Sequence, residues 1–155
     1  MFQIKKISLF GLIETRVKQH KANKILTNIT PTWGHLENYC SATNGRIWIC
    51  WDTSMYTILK INEHNQLLHC QVKNNSNVLD CLLTIIYGLN TQELRKTLWI
   101  SLKNISQGIN SPWIIGGDFN AQLYPQDRKY GNIVQHAEIK DFAGCMNELL
   151  LSKVN

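Results

Sequence analysis

Short apolar runs, each long enough for one strand and each closed by turn residues or a polar pair, fill most of this chain and leave room for three helical stripes. The first run, Ser8-Leu9-Phe10-Gly11-Leu12-Ile13, is apolar on both faces and reads as a buried strand closed by Glu14-Thr15-Arg16. A helix is expected near 17–29, with Ala22, Ile25, Leu26 and Ile29 on one stripe and Pro31 just beyond its end. Strand signals follow in series. Trp33 to Tyr39, Arg46 to Trp51, Met55 to Ile61, Gln66 to Lys73 and Val78 to Tyr87 all qualify, and the Asn44-Gly45 pair favours a hairpin between the first two. In Gln66 to Lys73, Leu68, Cys70 and Val72 face one way while His69 and Gln71 face the other. A helix from Gln92 to Ser106 presents Leu94, Leu98, Leu102 and Ile105. A strand over 113–116 comes next, then a polar loop around Tyr124 to Arg128, then a helix near 137–150 with Ile139, Phe142, Met146 and Leu149 inward. The order strand, helix, several antiparallel strands, helix, strand, helix predicts a layered α/β domain with a mixed sheet. No internal repeat or linker interrupts it.

Composition narrows the class. At 155 residues, 44% hydrophobic and 17% charged, the chain fits one globular domain with a substantial core. No apolar run approaches the length needed to span a bilayer, and Met1 to Lys6 lacks a signal peptide's apolar stretch, so a soluble, non-secreted protein is expected. Five scattered cysteines with no Cys-x-x-Cys pair predict buried free thiols rather than disulfides or a zinc site. The net charge of +5 agrees with a polyanionic partner without requiring one. Arg16, Lys18, Lys21 and Lys24 cluster, but a solvated helix face explains them equally well.

The residues with chemical potential stand at the ends of the apolar runs. Gly117-Asp118-Phe119-Asn120 follows Trp113-Ile114-Ile115 and sets a carboxylate and a carboxamide two residues apart at a strand's mouth. Phosphodiester hydrolysis needs charge neutralised on the phosphoryl oxygens, a water held in line and the leaving oxygen stabilised. Asp118 is suited to take the water's proton and Asn120 to hold the water or a phosphate oxygen, while Gly116 and Gly117 allow close backbone approach. Glu14 ends another strand in the same way, and magnesium needs only one or two protein carboxylates. Each residue also has a plain structural explanation. Gly-Asp-x-Asn is a common strand exit, Glu14 can simply close a strand, Asn90 can cap the helix that Glu93 helps to start, and Tyr87 can be the last aromatic of a buried strand.

Taken together, three segments in this order are more specific. Leu12-Ile13-Glu14-Thr15, Ile85-Ile86-Tyr87-Gly88-Leu89-Asn90 and Ile115-Gly116-Gly117-Asp118-Phe119-Asn120 resemble the endonuclease/exonuclease/phosphatase superfamily. More narrowly, Phe10 to Lys18, Gly45-Arg46-Ile47-Trp48 and Ser111 to Ile115 resemble the endonuclease domain of plant non-LTR (LINE-type) retrotransposons, over about Ile7 to Leu151. The resemblance implies an α+β fold, a four-layer α/β/β/α sandwich, and a Mg2+-dependent (or Mn2+-dependent) hydrolase that nicks target DNA to prime an associated reverse transcriptase. It implies that Glu14 is the metal-ligating glutamate and that Tyr87 contacts the scissile phosphate. Asp118 would activate the nucleophilic water, Asn120 would orient it, and Asn90 and Arg128 would lie along the nucleic acid.

Two parts of the family pattern have no match here. The family carries an upstream strand with an asparagine that helps place the metal, yet no Asn precedes Glu14. It also carries a late Asp-His pair, and His136 has no Asp before it. The chain is therefore expected to be a partial domain, 1–155, supplying roughly the first sheet and its helices, with an open sheet face prone to self-association. Nicking by these residues alone is expected to be lost, and the compartment to be intracellular, nuclear where functional. Two rival expectations are a non-catalytic fragment that binds nucleic acid weakly, and a phosphatase of the same superfamily.

Overall fold

The structure, a computed structural model, describes residues 7–42, 44–76, 78–123 and 136–153. Its elements run β1 (Leu9–Lys18), α1 (Gln19–Ile29), β2 (Gly34–Glu37), β3 (Asn44–Trp51), β4 (Tyr56–His64), β5 (Leu67–Asn74), β6 (Asp80–Tyr87), α2 (Gln92–Ser106), β7 (Trp113–Asp118) and α3 (His136–Glu148). They divide into two compact units: Met1–Tyr87 with Ser111–Gly117, and Gly88–Asn110 with Asp118–Asn155.

The first unit holds both sheets. One has the order β1-β3-β2 and the other β4-β5-β6-β7. β3 sits between antiparallel partners, with Phe10 opposite Cys50 on one side and His35 opposite Cys50 on the other. Its run Ile47-Trp48-Ile49-Cys50-Trp51 is buried throughout because both of its faces are covered. By the strand's two-residue period, Ile47, Ile49 and Trp51 point one way and pack with Ile58, Leu68, Cys70, Val72, Cys81 and Tyr87 of the other sheet. Trp48 and Cys50 point the other way and pack with Ala22 and Leu26 of α1 and with Tyr39. Helix, sheet and sheet thus form three layers with one apolar cluster in each gap.

The α+β class and its layering are as the sequence indicates. The open face is not. The sheet face expected to stay open is covered at β3 by β4 to β6, because the strands distribute over two sheets rather than one. Apolar side chains nonetheless stay exposed on both edge strands of the second sheet, Leu59 (57%) and Ile61 (55%) on β4 and Ile114 (54%) on β7.

β5 and β6 pair antiparallel, Leu67 opposite Ile86 and Lys73 opposite Asp80. β7 lies beside β6 and runs the same way. Leu82 near the start of β6 donates its N–H to Pro112 O, and Gly117 near the end of β7 lies against Ile86. A Cβ at Gly117 would come within 2.1 Å of the Ile86 carbonyl oxygen, and its φ of 129° is open only to glycine. Gly116, expected to share this role, has nothing within 4 Å of such a Cβ. A buried polar bridge joins these strands: Trp113 Nε1 donates to Thr84 Oγ1 at 2.8 Å, and Thr84 Oγ1 meets His69 Nδ1 at 2.8 Å.

Asn38 holds the loop after β2. Fully buried, it accepts from the N–H groups of Arg46 and Ile47 at 3.1 Å each and donates to His64 O at 3.2 Å. Of the α1 stripe, Ala22 and Leu26 are buried and Ile29 is 53% exposed.

In the second unit, α2 and α3 pack through Trp99 and Phe142, whose rings stack at 5.3 Å. Gln92–Asp141 (2.9 Å) and Lys103–Glu148 (2.5 Å) join the two helices at their surfaces. α2 buries Arg95, Leu98, Trp99 and Leu102, so its inward stripe lies one residue round from the Leu94 expected there. Leu94 is exposed because Arg95 turns inward to bond the carbonyls of Leu89 and Asn90 at 2.8 and 2.9 Å. α3 buries Phe142 and Cys145.

Candidate functional site

Each unit carries its own cluster of the residues singled out in the sequence. In the first, β1 does not close at Glu14 as expected but continues to Lys18 through an irregularity. Ile13 pairs with Ile47 and Val17 with Gly45, so Glu14, Thr15 and Arg16 together oppose Arg46 alone. Bulges of this kind re-aim side chains and recur beside active sites. The extra chain is absorbed by left-handed backbone at Glu14 (φ 57°) and Arg16 (φ 50°), conformations that non-glycine residues hold only when their surroundings impose them. One such tie is the Thr15 hydroxyl, which donates to Gly45 O.

The bulge gathers charge around one aromatic residue. Arg16 Nη2 forms an ion pair with Glu14 Oε1. Its pKa is raised, first by the Glu14 charge and then by the nearby Tyr87 hydroxyl. Arg46 lies over the Tyr87 ring, 5.6 Å from its centroid, a cation–π distance. The Tyr87 ring is 7% exposed and belongs to the core. The ring is thus the core aromatic of the plain structural reading. Arg16 and Arg46 were not singled out as site residues by the sequence. A signal for the first existed, since Glu14 and Arg16 stand at the two-residue spacing that puts neighbours on one face of a strand.

In the second unit, the Gly-Asp-Phe-Asn loop is fixed at four points. Asn120 N–H donates to Asp118 Oδ1 at 2.8 Å, closing an Asx turn. Asn120 Nδ2 donates to Gly88 O at 2.7 Å, and Gly88 N–H donates to Asp118 O at 2.7 Å. Phe119 stacks on Phe142 at 4.6 Å and on Trp99 at 6.3 Å. Asn120 has a φ of 47°, the left-handed region that asparagine tolerates better than most residues. Gly88 must be glycine here, because a Cβ would come within 2.2 Å of Phe119 O.

These bonds decide which atoms are left for chemistry. With Nδ2 committed to a carbonyl, Asn120 has its Oδ1 left as an acceptor. Asp118 is exposed and keeps Oδ2 without another partner among the described residues. Two acceptors on neighbouring side chains suit the two protons of one water.

Asn90 is exposed and does not cap α2. That role belongs to Thr91, whose hydroxyl accepts from Leu94 N–H at 3.4 Å. Arg128 lies outside the described residues.

Among the described residues no three His, Cys, Asp or Glu side chains gather as a metal cluster. Glu14 nonetheless suits one ligand position of a hard divalent cation, which keeps several waters and needs one or two protein carboxylates. It is 45% exposed and its Oε1 carries the Arg16 guanidinium. The thiols offer nothing comparable, since burial pushes Cys50 and Cys145 up to about 11 and Cys70 up to about 12.

No family model and no curated protein matches the chain. Solved structures do. The endonuclease domain of TRAS1, a telomere-specific non-LTR retrotransposon, is 12% identical and superposes with a TM-score of 0.64, over 92% of this chain and 72% of that one. The AP endonuclease LMAP from Leishmania major is 13% identical with a TM-score of 0.65, over 94% of this chain and 58% of that one. An endonuclease/exonuclease/phosphatase family protein from Bacteroides thetaiotaomicron is 14% identical with a TM-score of 0.59, over 90% and 54%. The chain thus spans a little over half the length of the last two proteins. At these identities the likeness is one of fold.

Proposed function

We propose that this chain, which has the endonuclease/exonuclease/phosphatase fold, is part of a retrotransposon-type endonuclease domain that hydrolyses DNA phosphodiester bonds with a divalent cation, Mg2+ or Mn2+. The observation that carries this is the Asn120 side chain pinned by Nδ2 to Gly88 O while its backbone N–H holds Asp118 Oδ1. Asp118 accepts the proton of the attacking water, and Asn120 Oδ1 orients that water. The Tyr87 hydroxyl contacts the phosphate, and Asn90 and Arg128 bear on the nucleic-acid backbone. Glu14 holds the cation, which neutralises charge on the phosphoryl oxygens when bound. A net charge of +5 favours the polyanion, and the setting for such a reaction is the nucleus.

The sequence contains no Asp-His pair. Loss of one member of a coupled catalytic set costs orders of magnitude, so these residues by themselves nick DNA feebly or not at all. Free imidazole in the buffer is expected to stand in for the missing ring. Supercoiled plasmid and p-nitrophenyl phosphate, each offered with Mg2+ and imidazole, distinguish the alternatives. Nicking without release of nitrophenol supports the endonuclease. Monoester release without nicking supports a phosphatase, and salt-dependent DNA binding without either reaction supports a binding fragment. Robust nicking without imidazole would overturn the expected inactivity.

A further inference from the structure

α2 buries a cation near the end of the helix that least favours one. Arg95 is 7% exposed and is the fourth residue of α2, close to the helix N-terminus, where the dipole favours acids such as Glu93. Burying a guanidinium there is costly unless its donors are satisfied. Arg95 Nη1 donates to the carbonyls of Leu89 and Asn90 at 2.8 and 2.9 Å, so its charge is directed at the loop between β6 and α2. Immediately before these two residues stands Gly88, whose carbonyl accepts from Asn120 Nδ2 and whose N–H donates to Asp118 O, each at 2.7 Å. The short segment 88–90 is therefore held by Arg95 and in turn holds Asp118 and Asn120. Trp99, one turn further along α2, stacks on Phe119 between them at 6.3 Å.

We propose that Arg95 is a positioning residue for the hydrolysis: by clamping Leu89 and Asn90 it fixes the Gly88 carbonyl that orients the Asn120 amide. The proposal rests on Asp118 and Asn120 being the pair that holds the attacking water. Arg95 acts through the backbone of 88–90, and its contribution is to keep one face of one amide in place. An Asn120 amide released from Gly88 O can turn over and present Nδ2, a donor, where the water needs an acceptor.

Solvent-exchange NMR of the Asn120 side-chain amide, on the 15N-labelled full chain, tests the clamp without any turnover. The Asn38 side-chain amide, bonded to His64 O in the first unit, is the control for the fold at large. Arg95→Met keeps the apolar stem and removes the donors, and it should speed exchange at Asn120 about tenfold or more while leaving Asn38 unchanged. Arg95→Lys keeps a cationic donor within reach of the loop and should fall between the two. Should Arg95→Met fail to fold, Arg95→Lys decides, by faster exchange at Asn120 with none at Asn38. In plasmid nicking with Mg2+ and imidazole, Arg95→Met should lose about ten- to a hundredfold, and adding it to Asn120→Ala should cost nothing further. If Asn120 exchanges as in the wild type, or Asn38 loosens equally, Arg95 does not position Asn120, whatever the activity. Nicking losses that add would likewise place its effect elsewhere. If the exchange result holds but Asp118→Ala nicks as well as the wild type, the water-holding reading fails and the role of Arg95 in the reaction falls with it.

Discussion

Asn120 Nδ2 donates to the Gly88 carbonyl at 2.7 Å, so the residue after β6 and the residue two beyond Asp118 are held as one piece. The bond joins two loops far apart in sequence and fixes which way the Asn120 amide points. Replacing Asn120 removes the bond and, for most residues, strains a backbone at φ 47°. Asn120→Ala is expected to cost about 1–3 kcal/mol, from the lost bond and the left-handed conformation together. Asn120→Gly should recover the backbone part and not the bond. Urea melts of the two variants measure the difference, and equal stability of all three chains would show that the bond contributes nothing.

Gly117 faces a harder constraint, because a Cβ there would lie 2.1 Å from the Ile86 carbonyl oxygen and the φ of 129° excludes other residues. Gly117→Ala must push β7 away from β6 and should cost more than about 2 kcal/mol. Gly116→Ala meets open space and should be nearly neutral. Thermal melts that rank the two in the opposite order would contradict the arrangement of β7 beside β6.

The thiols should separate sharply in reactivity. Cys40 is exposed, whereas Cys50, Cys70, Cys81 and Cys145 are buried with pKa values pushed upward chiefly by desolvation. Ellman's reagent at pH 8 should label Cys40 promptly and the others only as the chain unfolds. Prompt release of more than one equivalent would mean that the core is not closed over them.

Acid should weaken the fold through buried histidine. His69 Nδ1 lies 2.8 Å from the Thr84 hydroxyl, which accepts from Trp113 Nε1, and the buried ring has no carboxylate partner among these bonds to favour its charged form. Burial lowers its pKa below 6.5. As pH falls through 6.5 the unfolded chain takes up a proton that the folded chain refuses, so stability falls until the pH drops below the folded pKa. His64 is shifted in the same direction by burial. The melting temperature should therefore decline between about pH 7 and pH 5, and His69→Gln should remove part of that slope. A slope untouched by the substitution would mean that His69 does not titrate as described.

Period and turn chemistry made much of the fold readable. α2 was expected over Gln92 to Ser106 and spans those residues, because its apolar repeat and the residues at its ends agree. β3 was readable as a strand because its unbroken apolar run signals cover on both faces, but the run does not say what supplies that cover. A second sheet does so on one side, which is why the expected open face is closed. β1 was expected to stop at Glu14 because a carboxylate after an apolar run looks like an end. The bulge that carries the strand on to Lys18 depends on Arg46 and Gly45 of β3, which local sequence cannot announce. The same gap hid Arg16 and Arg46. Asp118 and Asn120 were singled out as candidates from their spacing, whereas the partner that orients Asn120, Gly88 O, lies in a distant loop. Thr91 rather than Asn90 caps α2, a one-residue shift that propensity does not resolve.

The central claim is that Asp118 activates water against a DNA phosphodiester, and plasmid nicking by wild type and Asp118→Ala, side by side with Mg2+ and imidazole, tests it most directly. Asp118 is exposed at the end of β7, and the Asx turn it closes is a single 2.8 Å bond, so the substitution should leave the chain folded by circular dichroism. Nicking that imidazole raises in the wild type, that EDTA stops and that Asp118→Ala reduces by about two orders of magnitude or more is the expected result. Equal nicking by the two folded chains would contradict it.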